Sequence, residues 1–289
     1  MYDYNKSIKS PASDELINTY LLRPIAGLLV RLLYPTSISP NQVTIASIVA
    51  GLAAALGYLQ ASPLAFVCAG LLVTLKDLLD SVDGQLARAR EQYSRIGRFL
   101  DSIGDFIVDA AVFGAIGWTL GEKHGGFLYP VLAFAGFWGI TFRVSYHVFY
   151  QASFLHMENL YENNRLTEEV REEDTAGDRR TLLLQQLFQF LYGWQDALIK
   201  RIDVWSQGPT PGDSFRRMWY SDVVGIRLSG LLGMGTELFL VMFFSVLNEL
   251  ELYLYVNVLV MNGILLANMM YRRTRLRTSI IRRSIESTS

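Results

Sequence analysis

Long apolar stretches alternate with short polar ones along this chain. Mostly apolar runs cover about 42–60, 64–90, 95–121, 127–153, 222–247 and 251–271. A helix crossing a hydrocarbon core of about 30 Å needs roughly 20 such residues. The pattern therefore predicts an all-α, polytopic membrane bundle of about six transmembrane helices, the second and third qualifying only if their polar ends are protected. Two other stretches are patterned differently. PIAGLLVRLLYP, before the first run, is too short to cross, and TLLLQQLFQFLYGWQDALIKRIDVW sets Leu183, Leu187, Phe190, Leu191, Trp194, Leu198 and Val204 near helical spacing. Both predict juxtamembrane amphipathic helices, serving as edge seals or as gates over a site. The second would close a charged cytoplasmic insertion at about 154–221.

Composition agrees with the pattern. At 51% hydrophobic, 18% charged and a mean hydropathy of +0.24 over 289 residues, the chain is too apolar for an ordinary soluble domain. The stretch MYDYNKSIKSPASDELINTY has no apolar run behind its charges and is not expected to be a signal peptide. A single cysteine, Cys68, excludes an intramolecular disulfide and reads as packing.

The net charge of −1 conceals an asymmetry. Arg88, Arg90, Arg95 and Arg98 fall between the second and third runs and RRTRLRTSIIRR follows the sixth, whereas LQASP, GEKHGG and NELEL share one Lys. The positive-inside bias then puts both termini and the 80–105 region in the cytoplasm. This divides the chain into an N-terminal segment with an amphipathic helix (1–41), a six-helix domain (42–271) and a basic tail (272–289). The tail is either a topology signal or a contact for anionic lipid headgroups.

Between the second and third runs the sequence reads DSVDGQLARAREQYSRIGRFLDSIGD, with Asp80, Asp83, Asp101 and Asp105 near its two ends. At about 1.5 Å rise per residue, a tight antiparallel hairpin brings all four carboxylates to one depth. The i, i+3 and i, i+4 spacings give each pair one helix face. Gly84, Ala87 and Gly97 leave room on those faces for a backbone or a flat ligand. Each intramembrane acid costs a few kcal/mol, and Lys76 and Arg88 cannot neutralise four. Lys76 and Asp77 are expected to pair locally. Two divalent cations satisfy the balance, and ligands that are all oxygen favour Mg²⁺ or Mn²⁺. Two such ions suit the clamping of a phosphate during displacement. Clustered intramembrane acids also mark cation or proton transporters, but no matching half-repeats with broken helices are visible. A lipid-binding scaffold without catalysis is the other alternative.

Asp80, Asp83, Gly84, Ala87, Arg88, Gly97, Asp101 and Asp105 occupy every position of the pattern D-x2-D-G-x2-A-R-x8-G-x3-D-x3-D, so the chain resembles the CDP-alcohol phosphatidyltransferases. Pro40, Asn41 and Thr44 in SPNQVT resemble that family's motif beside the nucleotide. The resemblance implies transfer of a substituted phosphate from a CDP-linked donor to an alcohol, releasing CMP, with a lipid on at least one side. It gives Asp80, Asp83 and Asp101 as metal ligands, Asp105 as ligand and base, and Gly84, Ala87 and Arg88 as lining of the cytidine and phosphate pocket. Phe106 stands where members using a phosphorylated acceptor commonly have a basic residue. This favours an acceptor without its own phosphate, an amino alcohol or diacylglycerol, over inositol phosphate or glycerol phosphate. Arg143 is a candidate phosphate contact or a helix-end snorkel, and His147 on the same face is a candidate substrate contact or a structural histidine. Expected partners are the donor, a lipid substrate and membrane lipids, with a homodimer left open and no nucleic acid.

Overall fold

The computed structural model describes Tyr4, Glu15 and residues 17–158, 178–209 and 212–286. Residues 159–177, most of the charged part of the expected insertion, lie outside them. Among the described residues every regular element is helical. Helix α1 (Arg23–Leu33) is followed by α2 (Pro40–Tyr58), α3 (Pro63–Ala89), α4 (Arg95–His124) and α5 (Leu128–Met157). Within the expected insertion lie α6 (Arg179–Gln207) and α7 (Asp213–Tyr220), and after it come α8 (Val223–Gly230), α9 (Met234–Val246), α10 (Leu250–Tyr255), α11 (Asn262–Tyr271) and α12 (Arg277–Glu286).

Local sequence explains where the first long helices begin. Ser39 and Gln42 form a reciprocal capping box ahead of Pro40, Ser62 caps α3 ahead of Pro63, and Ser94 caps α4 through the Gly97 amide. Four stretches are long and apolar enough to cross a membrane: Pro40–Tyr58, Leu128–Met157, Val223–Val246 and Leu250–Arg282. The 27-residue α3 and 30-residue α4 have the length, about 1.5 Å per residue, but carry the acids. The chain is an integral membrane protein, and among the six runs that the sequence pattern counts as spans the two in α3 and α4 are the ones interrupted by clustered acids.

These two polar helices pack inside the bundle. The α2 and α4 helices run parallel, with Asn41 over Gly97 and Ile48 against Gly104 at one end and the Thr119 hydroxyl donating to the Tyr58 carbonyl at 3.0 Å at the other. Between them α3 runs antiparallel, and its Ala69 would lie 3.1 Å from a Cβ placed on Gly57. A continuous apolar core including Tyr58, Val73, Phe113, Ile116, Leu238 and Leu254 fills the half of the bundle away from the acids. The short α1 buries Ala26 and Val30 against Val82 and Leu86 of α3 and leaves Leu28 and Leu32 exposed. Arg90 fastens its end: the guanidinium donates to the carbonyls of Leu33, Tyr34, Thr36 and Ile38 at 2.5 to 3.0 Å.

The α6 helix faces the bundle with its polar side. Gln185, Gln195, Asp203 and Ser206 are buried, while Leu183, Leu187, Phe190, Trp194 and Leu198 are exposed. The apolar stripe legible in the sequence is thus left for lipid, as expected of an interfacial helix. Asp203 is satisfied by Tyr150, Gln207, Trp219 and Tyr220 at 2.7 to 2.8 Å.

Candidate functional site

The α3–α4 hairpin brings three carboxylates together. One oxygen from each of Asp80, Asp101 and Asp105 lies within 4.8 Å of the others. Oδ1 of Asp80 and Oδ1 of Asp101 are buried and accept no hydrogen bond from the described residues. A buried carboxylate oxygen without a donor is costly, so this group is electrically incomplete as it stands. Its donors are hard oxygens and no His or Cys joins them, which fits Mg²⁺ or Mn²⁺. Asp83 stands slightly apart. It is buried and its Oδ2 accepts the Thr44 hydroxyl at 2.5 Å, which ties the start of α2 to the acid face of α3.

The remaining signature residues shape the approach. A Cβ on Gly97 would come 2.5 Å from Asn41 Oδ1, so a larger residue there would displace the Asn41 side chain where α2 and α4 meet. The Arg88 guanidinium folds back over Gly84, 3.4 Å from where a Cβ would stand. Ala87, half-buried, accepts the Gln92 amide through its carbonyl at 2.9 Å, closing α3 before the turn.

Arg143 lies elsewhere. It is fully buried, its Nε donating to Glu237 at 2.5 Å and its Nη1 to Asn262 at 2.8 Å and the Asn257 carbonyl at 3.2 Å. A guanidinium so engaged is not a snorkelling helix end. His147 is buried with Nδ1 3.1 Å from the Ser229 hydroxyl. Phe106, after the last acid, packs edge-on against Phe137, Trp138 and Tyr192.

The sequence reading misassigned the partner of Lys76 and passed over Asp109. Lys76 is fully buried and pairs across the hairpin with Asp105, not locally with Asp77 as expected. Asp109, 3% exposed, continues the stripe of Asp101 and Asp105 by one more turn. The signals were present: a lone cation inside an apolar run, four residues before Asp80, and an acid at i+4 from Asp105. Helix α6 also contributes. The Tyr192 hydroxyl donates to the Ser102 carbonyl at 2.9 Å, and Phe188 packs on Phe99 with ring centres 5.5 Å apart. Burial, with Asp105 and Asp109 nearby, pushes the Tyr192 hydroxyl well above its ordinary range, so it remains a donor.

Residues 37–156 match the family model for CDP-alcohol phosphatidyltransferase. Similar proteins include the bifunctional IPC transferase and DIPP synthase of Thermococcus kodakarensis, 32% identical over 123 residues, 43% of this chain and 27% of that protein. The phosphatidylinositol phosphate synthase of Corynebacterium glutamicum is 34% identical over 35% of this chain and 43% of its own. The archaetidylinositol phosphate synthase of Aeropyrum pernix is 43% identical over 30% and 43%. The matches thus span less than half the length of each of these relatives. All three names belong to enzymes.

Proposed function

We propose that the chain, whose residues 37–156 match the family model for CDP-alcohol phosphatidyltransferase, acts as a member of that family and transfers a substituted phosphate from a CDP-linked donor to an alcohol in phospholipid synthesis, with release of CMP. The observation that carries this reading is the three-carboxylate group with two donorless oxygens. Asp80, Asp101 and Asp105 would hold divalent ions, with Asp83 beside them, and two ions are the number that balances four carboxylates. When bound, such ions neutralise the donor's diphosphate and polarise the phosphorus. The chain's own residues do the rest. Asn41, Thr44, Gly84, Ala87, Arg88 and Gly97 line the mouth where the nucleotide enters. Asp105, toward the middle of the bilayer, accepts the acceptor hydroxyl's proton as the new P–O bond forms and the bond to CMP breaks. The arginines flanking this mouth support a cytoplasmic position for it and for both termini.

Two observations bear on the acceptor. Phe106 sits in an aromatic cluster and Arg143 is engaged by Glu237, so neither offers charge to a second phosphate. This supports an acceptor lacking one, an amino alcohol or diacylglycerol. The relatives' names support inositol phosphate instead. A single assay separates them. Detergent-solubilised protein with Mg²⁺ or Mn²⁺ receives CDP-diacylglycerol, CDP-ethanolamine or CDP-choline with each acceptor in turn, and CMP is measured. Release with a phosphate-free acceptor supports the first reading and release only with inositol phosphate the second. Metal uptake without CMP from any pair would return the acids to a cation-transport role.

A further inference from the structure

Behind the ligand group lies a charge arrangement that the signature does not contain. Asp77, Asp80, Asp83, Asp101, Asp105 and Asp109 bring six carboxylates to one hairpin, and a fully buried ammonium, Lys76, stands among them. It contacts Asp105 directly, and the acids whose charge reaches it are Asp105, Asp80, Asp109 and Asp77. Asp105 is at the same time one of the three carboxylates close enough to share a cation. Two positive species therefore call on one carboxylate, and like charges in a low-dielectric interior exclude one another. Lysine suits this position because its charge is compact and sits on a flexible stem. Asp109, one turn further along α4 and buried more deeply than Asp105, offers a second resting place.

We propose that Lys76 is a resident counter-ion of the site. It holds Asp105 while no metal is bound, competes with the divalent ion for that carboxylate, and so sets the affinity of the site for metal. The inference rests on the metal-dependent reading above and concerns a residue outside the family signature. Its consequence is a site that stays folded without metal yet binds it more weakly than its carboxylates alone would.

The test uses Mn²⁺ alone, titrated into the full-length detergent-purified protein, with free Mn²⁺ read by electron paramagnetic resonance. Thermal melting is recorded in EDTA and in saturating Mn²⁺. Lys76→Met removes the competitor; Lys76→Met with Asp109→Asn removes it while lowering the leftover negative charge, so that one variant survives folding. Both are expected to bind Mn²⁺ on the order of tenfold more tightly than the natural protein, a size typical of removing one like charge beside a bound ion. Both should melt lower in EDTA, with the difference vanishing in Mn²⁺. Lys76→Arg keeps the charge and should stay within a few-fold of the natural affinity. Equal or weaker binding in both neutral variants overturns the proposal and leaves Lys76 a structural partner of Asp105. Failure of the natural protein itself to take up Mn²⁺ overturns the metal reading, and this inference with it.

Discussion

Two sets of charges are buried in this bundle, and they are built to opposite rules. Around Arg143, one guanidinium meets one carboxylate, Glu237, and the amides of Asn257 and Asn262 complete most of the remaining bonds. Around Asp101, three carboxylates face each other and two oxygens find no donor. The first set is neutral and closed in charge, although Arg143 Nη2 and Asn257 Oδ1 are buried without a hydrogen-bond partner among the described residues; it fastens α5, α9 and the last helical run together. The second is negative and open. Burial makes an incomplete charge set expensive, so its persistence marks the place where something from outside completes it. Intramembrane charge alone does not identify a site, because Arg143 is as buried as any acid here. The imbalance of charge does.

The sharpest way to break this comparison is to open the closed set. Removing one partner of a buried pair typically costs about 3–5 kcal/mol. Arg143→Met or Glu237→Gln alone is expected to lower thermal stability in detergent by an amount of that order, whereas Arg143→Met with Glu237→Leu should recover most of it. If either single variant melts like the natural protein while losing turnover, Arg143 acts on substrate and the contrast between the two sets fails.

The open set should respond in the reverse sense. Asp80→Asn or Asp101→Asn is expected to lose turnover by ~10² or more, the scale of a lost catalytic group, without loss of folded protein. Thermal stability is expected to hold or rise, since each change removes a charge from a crowded site. EDTA should abolish CMP release, Mg²⁺ or Mn²⁺ should restore it, and Ca²⁺, larger and looser in coordination, should not support comparable rates. Full activity in either variant would remove the metal reading.

Asp105 tests whether one member of the open set does more than hold metal. Asp105→Asn is expected to keep measurable CDP-donor binding and lose turnover by ~10², both read on one preparation. Loss of donor binding together with turnover would make it a ligand first. Activity within a few-fold of the natural protein would place the base elsewhere.

The two sets were not equally legible in the sequence. The acids announce themselves by local spacing, since Asp80, Asp83, Asp101 and Asp105 recur at helical intervals on either side of one turn, and the Ser39, Ser62 and Ser94 caps mark helix starts by residue type alone. Partners across helices were not legible. Glu237 stands 94 positions from Arg143, and Lys76 reaches 29 positions to Asp105. Which turn of one helix meets which turn of another depends on packing register, which periodicity does not carry. Arg90 makes the same point. As a sequence feature it is one more cytoplasmic arginine, yet in the fold it gathers four carbonyls at the end of α1. The amphipathic α6 was visible, but which of its faces meets the protein was not, because a helix in contact with lipid can present its polar side inward.

That inward side supplies the smallest expected effect and the finest test of the comparison. Tyr192 lies outside the matched segment 37–156, yet its hydroxyl donates to the Ser102 carbonyl, between Asp101 and Asp105, at 2.9 Å, and its ring meets Phe106 edge-on at 6.0 Å. If the open set is held in geometry from outside the hairpin, this contact is part of the hold. Tyr192→Phe keeps the ring and deletes the bond, worth about 0.5–1.5 kcal/mol. The expected result is a several-fold rise in the Mn²⁺ or Mg²⁺ concentration needed for half-maximal turnover, with melting temperature nearly unchanged. Tyr192→Ala, which also uncovers Phe106, should shift metal dependence further and lower the melting temperature as well. A Tyr192→Phe protein with natural metal dependence would mean that α6 only covers the site and that the α3–α4 hairpin fixes its acids unaided.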